Sequence, residues 1–154
     1  MAAPSIQIVD CAAHHLAYLP RHGTIYSVNA VASATPVWIT ARDRGLLRTG
    51  WQLGYFPDAP GDAIFTEPAP ELHIGPEIAG PFDEDALLRH GQTPAGRAAF
   101  TSFRGPHNEV ETHHRAIRAW CAERGETFTG AIWERYVWHS DPSQQVIELY
   151  YLLA

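Results

Sequence analysis

The sequence predicts an α+β fold, an antiparallel sheet with helices on one side, built from a β-α-β-β order that occurs twice. Three observations lead there. A chain of 154 residues with 45% hydrophobic and 18% charged side chains suits one compact domain and is too apolar for a disordered polymer. The second half repeats the first in order: Trp120 leads to Gly125, Gly130, an aromatic stretch and Asp141-Pro142, as Trp38 leads to Gly45, Gly50, an aromatic stretch and Pro57-Asp58. Helix-stop glycines and alternating apolar stretches also fall at matching places in the two halves. The expectation is one domain over residues 1–154, with a first repeat over about 5–80, a connecting loop over about 80–95 and a second repeat over about 96–154.

Each element has a local reason. Residues 5–9 and 16–19 read as strands, bent or separated near Ala12 and Ala13. A short helical piece begins at Ser27, and a second runs over 36–44, because Thr35-Pro36 reads as an N-cap followed by proline at the first helical position. Strands are expected over 53–56, 63–66 and 71–78, the last interrupted by Gly75-Pro76. An exposed acidic connection between Gly80-Pro81 and Gln92-Thr93-Pro94 follows. The second copy opens with a strand over 98–103. Asn108 with Glu111 three residues on is a capping-box pattern, and Gly125 after Arg124 is a stop signal, which sets a helix over 109–124. Its apolar face carries Val110, Ile117, Trp120 and Cys121, with His113 or His114 on the same side. Strands over 131–139 and 146–153 complete the set.

Charge and motif content exclude several functions. A formal net charge of −6 and a pI near 5.8 are the wrong sign for a direct nucleic-acid partner. No apolar run approaches the roughly 20 residues of a membrane span and the start MAAPSIQIVD carries no signal segment, so no membrane partner and a cytoplasmic location are expected. Cys11 and Cys121 lack any ligand spacing and read as buried free thiols. The pairs His14-His15 and His113-His114, the second close to Glu109 and Glu111, lack a third ligand at useful spacing; no metal and no cofactor are expected.

The segment Ala131-Ile-Trp-Glu-Arg-Tyr-Val-Trp-His139 carries the sharpest chemistry. Strand alternation puts Ile132, Glu134, Tyr136 and Trp138 on one face and Trp133, Arg135 and Val137 on the other, so a carboxylate sits in an aromatic row. On a buried face Glu134 must be paired, protonated or reserved for an incoming group. On an edge strand it would sit in water or pair with an arginine such as Arg104. A carboxylate framed by rings suits a cation or an amphipathic heteroaromatic, and the same group, raised in pKa by apolar walls beside a phenol, can act as a general acid or base.

These residues resemble the GyrI-like small-molecule-binding family, which includes the effector domains of MerR-type and some AraC-type multidrug regulators. Arg104-Gly105-Pro106-His107 is similar to that family's entry into its helix, Trp120 to Gly125 to its helix end, and Trp133-Glu134-Arg135-Tyr136 with Asp141-Pro142 to its acidic strand motif. Arg21-His22-Gly23-Thr24-Ile25-Tyr26, Tyr55-Phe56-Pro57-Asp58-Ala59-Pro60 and Glu71-Leu-His-Ile-Gly75 resemble the corresponding pieces of the first copy. His107 departs from the usual aromatic after Gly-Pro, and His73 and Gly75 depart from the middle motif. The resemblance implies two β-α-β-β units related by a pseudo-two-fold axis, with a ligand cleft along it. It implies that Glu134 meets cationic or polar groups of aromatic ligands, and that Tyr136 and Trp138, with Tyr18, Tyr55, Phe56 and Trp133, are the ligand-contacting walls. The two copies leave no room for a helix-turn-helix, so a stand-alone binder of a drug or toxin is implied, for sensing, sequestration or resistance, as a monomer or homodimer. The alternative is a hydrolase of cyclopropane-bearing, duocarmycin-like genotoxins with Glu134 and Tyr136 as catalytic groups.

Overall fold

The computed structural model describes residues 4–28 and 31–154; Met1 to Ala3, part of the stretch searched for a signal segment, and Asn29 and Ala30 lie outside the described residues. The elements are β1 (Gln7–Cys11), β2 (His15–His22), α1 (Ile25–Val28), α2 (Val31–Asp43), β3 (Leu47–Phe56), β4 (Glu71–Ile78), β5 (Arg89–Gln92), β6 (Gly96–Arg104), α3 (Val110–Glu123), β7 (Phe128–Val137) and β8 (Val146–Leu153). The strands form one eight-stranded antiparallel sheet in the order β1-β6-β8-β7-β3-β4-β2-β5. No helix among the described residues is long and apolar enough to cross a membrane.

That order forces the sheet to curl. β1 and β2 lie six strand spacings apart, about 29 Å in a flat sheet, yet the chain passes from Cys11 to His15 in steps that reach about 15 Å at most. The same mismatch holds between β5 and β6, joined by residues 93–95. The two connections meet: the Thr93 amide donates to the His14 carbonyl at 2.9 Å and the His14 amide to the Thr93 hydroxyl at 2.8 Å. Curling gives the sheet an inner and an outer face with different covers.

On the inner face Leu16, Leu53 and Trp133 are fully buried in a cluster whose members, Tyr18, Ala98, Tyr150 and Tyr55 among them, all lie on strands. The curl itself excludes water there, and no helix is needed. Helices cover the outer face. Ile25 and Val28 of α1, Ala34 of α2, and Val110, Ile117 and Cys121 of α3 pack on Phe56, Ile132, Tyr136, Ile147, Leu149 and Tyr151. Val37 and Ala41 of α2 pack on Ala17 and Ile78 beside them.

Several sequence expectations change. The 63–66 strand is a 3-10 turn over Ala63–Phe65, and the acidic connection contains β5, too short to show a period of two. α2 starts at Val31 rather than at Pro36, which sits inside the helix with its carbonyl accepting from the Thr40 hydroxyl at 2.9 Å. α3 keeps its predicted stop, with Gly125 at φ 66° and the Glu126 amide donating to the Cys121 carbonyl. It lacks the Asn108 cap: a 3-10 turn over His107–Glu109 precedes it without a side-chain capping bond, and Glu111 accepts from Tyr26 and Arg115 instead. Trp120 is half-buried with the Arg124 guanidinium 4.1 Å from its ring, and Cys11 is half-buried too.

Candidate functional site

Glu134 stands near the middle of β7, a central strand, on the outer face that the helices cover, and is fully buried. Its cross-strand neighbour on β3 is Gly54, where a Cβ would come within 2.7 Å of Val28. The bare glycine thus lets α1 settle on the sheet beside the carboxylate. Tyr136, two residues along the same face, fixes α1 there by donating its hydroxyl proton to the Val28 carbonyl at 2.8 Å.

A buried carboxylate without partners is costly, and here both oxygens are met by imidazoles. The His114 Nε2 lies 2.7 Å from Oε1 and the His107 Nε2 3.1 Å from Oε2. The His114 Nδ1 shares a 2.7 Å hydrogen bond with the Tyr151 hydroxyl. Burial alone would raise the Glu134 carboxyl, but the charge and hydrogen bond of His107, with those of His114, outweigh it and hold the pKa at about 2. Glu134 is therefore ionised at neutral pH, the opposite of the raised carboxyl expected from apolar walls. It is neither on an edge strand in water nor paired with Arg104, whose guanidinium donates to the Gln144 carbonyl. The Tyr136 phenol is pushed upward by burial and by the Glu134 charge, so it stays protonated.

Beside this cluster a cavity of about 510 Å³ opens between α2, β3 and the end of β7. Thr35, Trp38, Ile39, Gly50, Gln52, Tyr136 and Trp138 line it. Three of its polar groups form one chain: the Trp38 indole N–H donates to the Gln52 side-chain oxygen at 2.6 Å, and the Gln52 amide donates to the Tyr136 hydroxyl. Glu134 is not on this wall. Tyr136, on the cavity wall, stands two residues from Glu134 on the same strand face, and the His107 ring centroid is 5.9 Å from that of Tyr136.

The sequence-predicted site residues divide by face. Glu134, Tyr136 and Phe56 share the outer face, Phe56 as fully buried core. Trp138 lies just past the end of β7, 63% exposed, as a rim of the cavity. Trp133, Tyr55 and Tyr18 point into the curl on the opposite face, where Trp133 stacks on Tyr150 and Tyr55 meets Trp133 edge-on. The pleat separates them from Glu134 by the thickness of the sheet, so they do not wall the same space. Trp38, partly buried against the outer-face core, also lines the cavity. Gln52 carried no signal, and His107 showed only as a departure from a motif. His114 showed only as one of two histidines, His113 or His114, on the apolar side of the helix, with no link to Glu134.

No protein-family model and no curated protein matches the chain. Solved structures do. The C-terminal domain of EcmrR matches with a TM-score of 0.73 at 11% identity, over 99% of each chain. The EcmrR chain in its DNA complex matches with a TM-score of 0.79 at 13% identity, over 98% of this chain and 57% of that one, so this chain spans a little over half of EcmrR. A hydrolase from Listeria innocua gives 0.58 at 10% identity, over 97% of this chain and 91% of that one. SAV2435 bound to tetraphenylphosphonium gives 0.52 at 11% identity, over 97% and 94%. At such identities the likeness speaks for architecture alone, and on that ground the chain has the GyrI-like fold.

Proposed function

We propose that the chain binds a flat, amphipathic or cationic aromatic small molecule, its rings in the cavity walled by Trp38, Tyr136 and Trp138 and its positive group directed to Glu134. The observation that carries this is a fully buried, ionised carboxylate two residues along β7 from Tyr136, which lines a 510 Å³ aromatic cavity. Ring faces attract cations and a desolvated carboxylate adds a counter-charge. SAV2435 offers a parallel, since its structure holds tetraphenylphosphonium, a tetraphenyl cation. The strand order supports reading the chain as two β-α-β-β units about a pseudo-two-fold axis. Outward from the central β7–β3 pair it runs β8, β6 on one side and β4, β2 on the other. Cavity residues come from both units.

The hydrolase alternative has less support in this geometry. A general acid or base works best with a pKa near the working pH, and a carboxylate held at about 2 with both oxygens hydrogen-bonded is far from that. Titration with tetraphenylphosphonium, followed by tryptophan fluorescence, tests the binding reading. Glu134→Gln should weaken it by about 1 to 3 kcal/mol. Equal affinity in the two proteins would remove Glu134 from the site. Mass analysis of recovered ligand separates binding from hydrolysis, which adds one water.

A further inference from the structure

We infer that His107 is an internal occupant of the ligand's place on Glu134, displaced when a cation enters, and that this exchange decides which ligands reach the carboxylate. The inference rests on the cation-binding reading above. The two imidazoles on Glu134 are not equivalent. His114 is fully buried within the 14-residue α3, has both ring nitrogens engaged, and meets the edge of Phe65 with ring centroids 6.3 Å apart. Moving it would break the Tyr151 bond as well and disturb the helix. His107 begins a single 3-10 turn without a side-chain capping bond, and its contact with Oε2 is the longer of the two. It also lies against Tyr136, a residue of the cavity wall, and because Glu134 is fully buried with both oxygens engaged, a group that reaches Oε2 takes the place of His107.

Charge sets the terms of the exchange. If His107 leaves and nothing replaces it, a buried carboxylate oxygen loses its donor, which is strongly unfavourable. A cation restores the lost interaction. A neutral aromatic of the same size cannot, and it stays in the outer cavity with His107 in place. Selectivity for positive charge then arises from competition with a resident side chain, in addition to attraction by the carboxylate.

The test compares tetraphenylphosphonium with the neutral triphenylphosphine oxide on the wild type, His107→Ala, His107→Gln and Glu134→Gln. Removing the competitor should tighten phosphonium binding about tenfold in His107→Ala. His107→Gln, which keeps a neutral N–H able to meet Oε2, should tighten it about threefold. Phosphine oxide affinity should not change in either. Phosphonium binding no tighter in both variants, while Glu134→Gln still weakens it, overturns the inference and leaves the binding reading standing. Equal tightening for both probes also overturns it, because it would report an enlarged cavity only. Indistinguishable wild-type and Glu134→Gln affinities take both readings down. Thermal unfolding checks the fold of each variant, and should His107→Ala not fold, the glutamine variant decides by the same criteria.

Discussion

Glu134 makes the acid stability of this protein a one-residue question. Its carboxyl is held at about 2 against an ordinary 4.5, so folding gains from its ionisation at every pH above 4.5. The gain shrinks as pH falls from 4.5 toward 2 and is absent below, an amount of about 3 kcal/mol. Glu134→Gln should flatten that part of the acid limb in urea unfolding followed from pH 5 to 2; an unchanged slope would show a carboxyl that is not ionised in the fold. Trp138 is the opposite kind of residue. Because it is 63% exposed, Trp138→Ala should leave stability within about 0.5 kcal/mol while weakening tetraphenylphosphonium by about 1 kcal/mol. Equal loss of stability and affinity would place Trp138 in the fold rather than on the rim. The sequence showed Glu134 because a carboxylate on an alternating apolar strand is an anomaly that must be resolved. It showed neither His107 as a partner nor Gln52, since His107 meets Glu134 across 27 residues of chain and Gln52 meets Trp38 across 14 and Tyr136 across 84, where no local period applies.

Among the elements, those with a local signal were legible and those fixed by neighbours were not. β4 and β8 match their predicted spans, 71–78 and 146–153, and α3 ends where Gly125 stops it. β5 has four residues and exists because the edge of β2 is there to pair with it. α2 runs through Pro36 because Ala34, Val37 and Ala41 are buried against the sheet, and that packing outweighs the missing amide. Gly75, read as an interruption of its strand, is what lets β4 lie close to β2. A Cβ there would lie 1.8 Å from the Ala17 carbonyl oxygen, so β2 and β4 approach at a point where only glycine fits. Gly75→Ala should cost about 3 kcal/mol or more, read by urea unfolding. A loss below about 1 kcal/mol would mean that the two strands part without penalty.

At the scale of the whole molecule, the α+β class and the antiparallel sheet followed from the repeated order of elements, while the curl did not. Curling follows from pairings across about half of the chain, Cys11 with Gly96 and His15 with Gln92, which no window of sequence contains. It explains why Trp133, Tyr55 and Tyr18 are where they are: aromatic strand positions look alike from sequence whether they face a ligand space or the inside of a bent sheet.

The two short connections have one more consequence, for how the chain divides. β1 belongs to the N-terminal half in sequence, yet its one neighbour in the sheet is β6 of the C-terminal half, and the halves meet again along β3 and β7. A cut within residues 93–95 would therefore leave two pieces that each expose half of an interior and an unpaired strand edge. Separately they should show little secondary structure by circular dichroism; mixed, they should reassemble into the native spectrum. Independent folding of either piece would show that the halves are modules placed side by side rather than two parts of one interlocked whole.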